Sequence, residues 1–166
     1  GIEPAANVAA VAEAKGIPSL VKFFGCETAR DLVAQGRRAD LLLGNNVLAH
    51  VPDLNDFVAG MKMLLAGNGV ITMEFPHLMQ LIAENQFDTI YHEHLRYYSL
   101  RSLSYLLRMH GLEVFHAKRI PTHGGSIRVY AARKGAYKQT DSVRVLAEAE
   151  YASGLGAQRL KTFRDR

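Results

Sequence analysis

Gly69-Val70-Ile71-Thr72-Met73-Glu74-Phe75-Pro76-His77 is the stretch from which the fold can be read. Its first five residues are a short apolar run, the pattern of a buried strand. Pro76 has no N–H for a ladder, so the strand stops there and Glu74 and His77 fall at its carboxyl end. Open α/β sheets bind their ligands just outside the carboxyl ends of the strands. A second stretch follows closely. Tyr91-His92-Glu93-His94 packs a phenol, two imidazoles and a carboxylate into four residues. Such a set can supply a general base, a group to orient it and a donor for developing negative charge. Chemistry is expected between these two stretches.

Upstream of the strand, Ala39 to Gly44 is another apolar run, expected as a central strand buried on both faces. Asn45, Asn46 and His50 follow its end. Asp53 then caps a helix bearing Phe57, Met61, Leu64 and Leu65 at helical spacing, closed by Gly67 and Gly69. Nearer the N-terminus the pattern predicts a helix over Ala5 to Lys15, a strand over Ile17 to Phe24 and a helix over Glu27 to Gln35. This alternation of strand and helix predicts an α/β fold, a mostly parallel sheet with helices on both faces. Downstream, Leu78 to Glu84 reads as a short helix and 87–98 as irregular. Ser99 caps a helix carrying Leu100, Leu103, Leu106 and Leu107 and ending at Gly111. Leu112 to Ile120 and Ser126 to Ala132 read as an antiparallel edge hairpin around Pro121-Thr122-His123-Gly124-Gly125. Residues 1–135 therefore read as one domain. Residues 136–166, with a helical pattern broken by Gly154 and Gly156, read as a connector rather than core.

With 166 residues and 48% hydrophobic content the chain can bury a real core. No apolar run approaches the roughly 18 residues of a membrane helix, and the first residues lack signal-peptide anatomy. One cysteine, Cys26, excludes an internal disulfide and a cysteine-rich metal site, and a reducing, cytoplasmic setting fits. The net charge of +4 suits a small phosphate-bearing ligand. Nucleic acid is not expected: the basic residues are scattered, and Arg159, Lys161, Arg164 and Arg166 at the tail have only Phe163 among them. A doubly wound nucleotide-binding domain opens with a strand and a glycine-rich turn, followed by an acidic residue for the ribose hydroxyls. Glu3 sits where that acidic residue belongs, so the chain is expected to be a piece of a longer protein, cut just after its first nucleotide-binding element.

Four ordered motifs carry a family resemblance: Gly44-Asn45-Asn46-Val47-Leu48-Ala49-His50-Val51-Pro52-Asp53, Glu74-Phe75-Pro76-His77, Asn85-Gln86-Phe87-Asp88-Thr89-Ile90-Tyr91-His92-Glu93-His94, and Thr122-His123-Gly124-Gly125-Ser126. Over residues 1 to 135 the chain resembles the S-adenosylmethionine-dependent sugar C-methyltransferases, which methylate carbon 3 of nucleotide-linked 4-keto-deoxysugars. The resemblance implies a partial class I methyltransferase core, Rossmann-like, with S-adenosylmethionine as cofactor and a 4-keto sugar, dTDP-linked, as substrate. It also implies a zinc-binding segment before the core and a domain after it, both outside this sequence. The isolated 166 residues are accordingly expected to bind cofactor weakly and to be inactive, with the rest of the parent chain as their partner.

Carbon 3 of such a sugar is acidified by the neighbouring carbonyl. An enzyme that methylates it needs a base of near-neutral pKa and a donor for the enolate oxygen. The resemblance points to His94 as the base, with Glu93 and Tyr91 beside it. His50 and Asn46, after another strand, would reach the same crevice, where either could donate to the keto oxygen. Glu74, His77, His123, Gly124, Gly125 and Ser126 are candidates for binding the sugar nucleotide. Glu3, Phe24 and Asn45 are candidates for the cofactor, Phe24 by stacking near an adenine. In an extended strand Tyr91 and Glu93 would face away from His92 and His94, so an irregular backbone is required there. Three rivals stand beside this reading: O- or N-methylation, a metal-dependent hydrolase using His92 and His94, and a fragment that binds sugar nucleotide without turnover.

Overall fold

The computed structural model describes residues 1–155 and 160–161. Among the described residues the elements follow one another as α1 (Ala6–Ala14), α2 (Cys26–Ala34), β1 (Ala39–Asn45), α3 (Leu54–Leu64), β2 (Leu65–Pro76), α4 (Leu78–Ala83), α5 (Leu100–Met109), β3 (Leu112–Ile120), β4 (Ser126–Arg133) and α6 (Asp141–Ala152). The strands form one sheet in the order β1-β2-β4-β3. β1 and β2 are parallel, as their connection through α3 requires, and β4 runs antiparallel between β2 and β3. The fold is thus α/β with a mixed sheet, and the expected C-terminal antiparallel pair is inserted so that β3, not β4, lies at the edge.

Local chemistry explains most boundaries. Asp53 accepts the Asp56 N–H and starts α3. Ser99 accepts the Ser102 N–H while the Ser102 hydroxyl accepts the Ser99 N–H, a reciprocal cap for α5. The core lies along β2 and β4, where Ile71, Met73, Phe75, Ile127 and Val129 are buried against Leu103 and Leu107 of α5 and Val58 and Met61 of α3. A smaller cluster of Ala29, Leu32 and Leu64 joins α2 to α3.

Three expectations change. Residues 17–24 form no strand; Leu20 makes a single parallel bridge to Ile2. Pro18 withholds a donor, and Ile17, Val21 and Phe23 are exposed, so no buried face stabilises a ladder. β1 is not buried on both faces: only β2 pairs with it among the described residues, and Leu41 and Leu43 are 54% and 70% exposed. The segment expected as a connector begins with a helix that belongs to the core, because α6 buries Val143 and Leu146 in it. Arg159, Phe163, Arg164, Arg166 and Gly156 of the tail lie outside the described residues.

Candidate active site

Beyond the carboxyl ends of β1 and β2 lies a cleft of about 530 Å³. Asn46 and His50 reach it from the segment after β1, Pro76 from the end of β2, and Tyr91 and His94 from the irregular stretch after α4. His123 and Gly124, from the turn between β3 and β4, close its far side. Non-glycine residues with positive φ gather here. Asn46 (φ 54°) and His123 (φ 51°) line the cleft, and Asn85 (φ 55°) precedes Gln86, which also lines it. Such backbone is disfavoured for side chains other than glycine and concentrates where a site fixes it.

The irregular backbone that the sequence required is present. The His94 N–H donates to the Tyr91 carbonyl at 3.0 Å, a turn that brings the two rings together with centroids 4.2 Å apart. His94 Nδ1 lies 2.8 Å from the Thr89 carbonyl. A carbonyl only accepts, so in neutral His94 the proton sits on Nδ1 and the lone pair on Nε2. That lone pair accepts the Tyr91 hydroxyl at 3.0 Å. His50 is held the same way: its Nδ1 donates to the Glu93 carbonyl at 2.9 Å, leaving Nε2 as an acceptor. The His50 and His94 rings stand 5.0 Å apart.

The scaffold behind these rings is tied by main-chain acceptors. Arg96 donates to the Val51 and Pro52 carbonyls, joining the His94 segment to that of His50. The Tyr98 hydroxyl donates to the Leu48 carbonyl at 3.2 Å, and burial pushes its pKa up to about 12, so it remains a donor. Burial likewise raises the pKa of Tyr97, whose hydroxyl donates to the Thr89 carbonyl. Gln86 Nε2 donates to the Gly124 carbonyl at 2.7 Å and holds the 122–124 turn against the cleft.

Several expected site residues stand elsewhere. The Glu93 side chain is 65% exposed, with only His92 Nε2 3.9 Å away; this residue meets the site through its carbonyl. Glu74 is buried and accepts from Arg128 Nη2 at 2.7 Å and from the Thr122 hydroxyl at 3.3 Å, because its side chain projects toward β4. It braces the turn rather than lining the cleft. His77 is 2% exposed and paired with Glu150. Ser126 is buried and donates to the Thr122 carbonyl. The cofactor candidates do not converge on the same cleft. Glu3 Oε1 accepts the Ala5 N–H at the start of α1, and Asn45 is exposed at the end of β1. Phe24 packs edge-to-face on Phe57, with centroids 5.2 Å apart, and lines a second, apolar cleft of about 440 Å³ along the free side of β1. Val47 lines that second cleft while its neighbour Asn46 lines the first. Burial, with Asp56 beside it, raises the pKa of the Cys26 thiol.

Sequence reasoning assigned no role to Gln86, Thr89 or Glu150. The motif containing the first two was visible, but nothing in it distinguishes a carbonyl that orients a histidine. Among the described residues no group of three or more His, Cys, Asp or Glu could hold a metal ion, and no helix is long and apolar enough to cross a membrane.

Residues 1–117 match the family profile described as a methyltransferase domain. The C-methyltransferase NovU of Streptomyces niveus is 40% identical over 132 residues, which are 80% of this chain and 31% of that protein. The chain thus spans about a third of the length of that relative. Among solved structures, a SAM-dependent methyltransferase from Thermotoga maritima superposes with a TM-score of 0.62 at 16% identity, over 81% of this chain and 72% of that one. Magnesium protoporphyrin IX methyltransferase from Synechocystis PCC 6803, with bound SAH, superposes with a TM-score of 0.57 at 13% identity, over 81% and 63%. At these identities the likeness is one of fold: a Rossmann-like methyltransferase core.

Proposed function

This chain belongs to the methyltransferase domain family, and we propose that it carries the acceptor side of a C-methyltransferase acting on carbon 3 of a nucleotide-linked 4-keto-deoxysugar. The observation that carries this reading is the Tyr91–His94 couple, with one imidazole nitrogen fixed as donor and the other left as a basic lone pair beside a phenol. O-methylation would use the same base on a hydroxyl, so what favours carbon is the phenol set beside the base, where it can donate to an enolate oxygen. The 40% identity to a C-methyltransferase supports the same choice.

His94 Nε2 takes the proton from carbon 3. The Thr89 carbonyl stabilises the imidazolium that forms, through Nδ1–H. For that transfer the Tyr91 hydroxyl first turns its hydrogen from Nε2 to the keto oxygen, which frees the lone pair to receive the proton. Tyr91 then accepts from Nε2–H and donates to the enolate oxygen, supplying a hydrogen bond that strengthens as charge develops. Neutral His50, with its hydrogen on Nδ1 and held by Glu93, has no ring N–H left for the keto oxygen. Its Nε2 accepts a hydrogen bond from a sugar hydroxyl instead, and the Asn46 amide is left as the second donor. His123 and Gly124 bound the substrate on the far side.

S-adenosylmethionine, when bound, supplies the electrophilic methyl. The apolar cleft at the free side of β1 suits its adenine: Phe24, Leu42 and Gly44 line it, and Val47 of its lining directly follows Asn46 of the reaction cleft. Phe24, with Glu3 and Asn45 nearby in sequence to its lining residues, would hold it. The test is incubation of the full-length parent with dTDP-4-keto sugars and cofactor, followed by mass spectrometry and by deuterium exchange at carbon 3. The reading requires a carbon-methylated product and exchange that depends on His94. An O-methylated product, or none with exchange absent, would refute it.

A further inference from the structure

Loops hold a reaction geometry only where something behind them is fixed. Behind this cleft lies a buried pair that the methyl-transfer reading does not use. His77 directly follows β2 and is 2% exposed, and Glu150 in the last turn of α6 is 4% exposed. His77 Nε2 and Glu150 Oε1 are 2.8 Å apart. The same carboxylate accepts the N–H groups of Leu100 and Arg101, the first two residues of α5. Those amides have no partner within their own helix, and the helix N-terminus favours a negative charge. One side chain from α6 therefore grips the end of β2 and the start of α5 together.

Both loops of the cleft are anchored where that grip acts. The His77 N–H donates to the Gly125 carbonyl at 3.0 Å, closing the turn that presents His123 and Gly124. His77 also bridges to Tyr98, and the Leu78 N–H donates to the Tyr98 carbonyl at 2.9 Å, ending the segment that presents Tyr91 and His94. Moving His77 relative to Leu100 would change the separation of these two walls.

We propose that Glu150 is a positioning residue: through His77 and the N-terminus of α5 it sets the distance between the His123–Gly124 turn and the Tyr91–His94 segment. Removing one partner leaves the other buried and uncompensated, so the geometry is expected to shift when the pair is broken. The effect on turnover rests on the methyl-transfer reading; the effect on ring positions does not.

The test compares Glu150→Gln and His77→Gln with Leu146→Ala, each in the full-length parent. Leu146→Ala opens a cavity beneath α6 and leaves the pair in place. Nitrogen-15 and proton signals of the His50 and His94 rings are recorded without substrate, and methyl transfer is measured separately. Both pair variants should displace the two ring signals and lower kcat by about ten- to a hundredfold with little change in KM. Leu146→Ala should lower Tm and leave the ring signals in place. Unmoved ring signals in the pair variants, or equal displacement by Leu146→Ala, would overturn the proposal, whatever the outcome of the methyl-transfer assay. Should Glu150→Gln fail to fold, His77→Gln decides, since Glu150 then still caps α5.

Discussion

The Tyr91 hydroxyl lies 3.0 Å from His94 Nε2, in a turn closed by the His94 N–H on the Tyr91 carbonyl. Three residues of sequence thus hold a phenol against an imidazole whose other nitrogen is fixed by Thr89. In the proposed reaction the hydroxyl hydrogen moves to the substrate oxygen and the imidazole nitrogen it leaves takes the proton.

That exchange of roles separates the two residues experimentally. His94→Asn should abolish both methyl transfer and solvent exchange of the carbon 3 hydrogen. Tyr91→Phe keeps the base and loses the donor, so its turnover should fall about 10²- to 10³-fold. Both are read in the full-length parent by product formation and deuterium uptake. Wild-type exchange in His94→Asn would remove His94 from the base role.

Gly125 closes the wall opposite Tyr91. Its φ of +109° is strained for any other residue, and an added Cβ would stand 2.5 Å from Gln80 Cγ on α4. Gly125→Ala should cost about 1–3 kcal/mol by urea denaturation. Because its carbonyl receives the His77 N–H, turnover should fall as well. A variant of unchanged stability would mean that this turn relaxes freely.

Much of this was legible beforehand, and the reasons are local. Ser99, Asp53 and Pro76 act on their own neighbours, so α5, α3 and the end of β2 could be placed from sequence. The requirement for an irregular backbone at 91–94 followed from side-chain alternation alone. What escaped depended on distant partners. The 17–24 stretch has strand composition but no face to bury. Glu74 and His77 are correctly at a strand end, yet Arg128 and Glu150, which turn them inward, lie 54 and 73 residues away. The helix that carries Glu150 looked like a linker because its alanines and glutamates conceal only two core residues, Val143 and Leu146.

Acid should expose the Glu150 contribution. Burial alone would raise its pKa, but the His77 imidazole and the Leu100 and Arg101 amides outweigh it, so the carboxyl is held below the usual range. A depressed folded pKa means stabilisation that is complete above the unfolded value, about 4.3, and lost as pH falls through the folded one. The urea midpoint of the wild type should therefore drop between about pH 5 and pH 3. In Glu150→Gln the drop should be smaller, since the amide that replaces the carboxyl does not titrate in that range. Parallel curves for the two proteins would show that other carboxylates govern the acid transition.

The free side of β1 should behave as surface. Leu43 is 70% exposed there, whereas Leu107 of α5 is fully buried. In urea titrations of residues 1–166, Leu107→Ala should cost about 2–5 kcal/mol and Leu43→Lys less than about 0.5 kcal/mol. An apolar edge strand is also a template for pairing with another chain, which a lysine discourages. Leu43→Lys should consequently reduce concentration-dependent association in sedimentation velocity. A large stability loss from that substitution would instead require a cover over β1, and the cleft assigned to adenine beside Phe24 would then be closed.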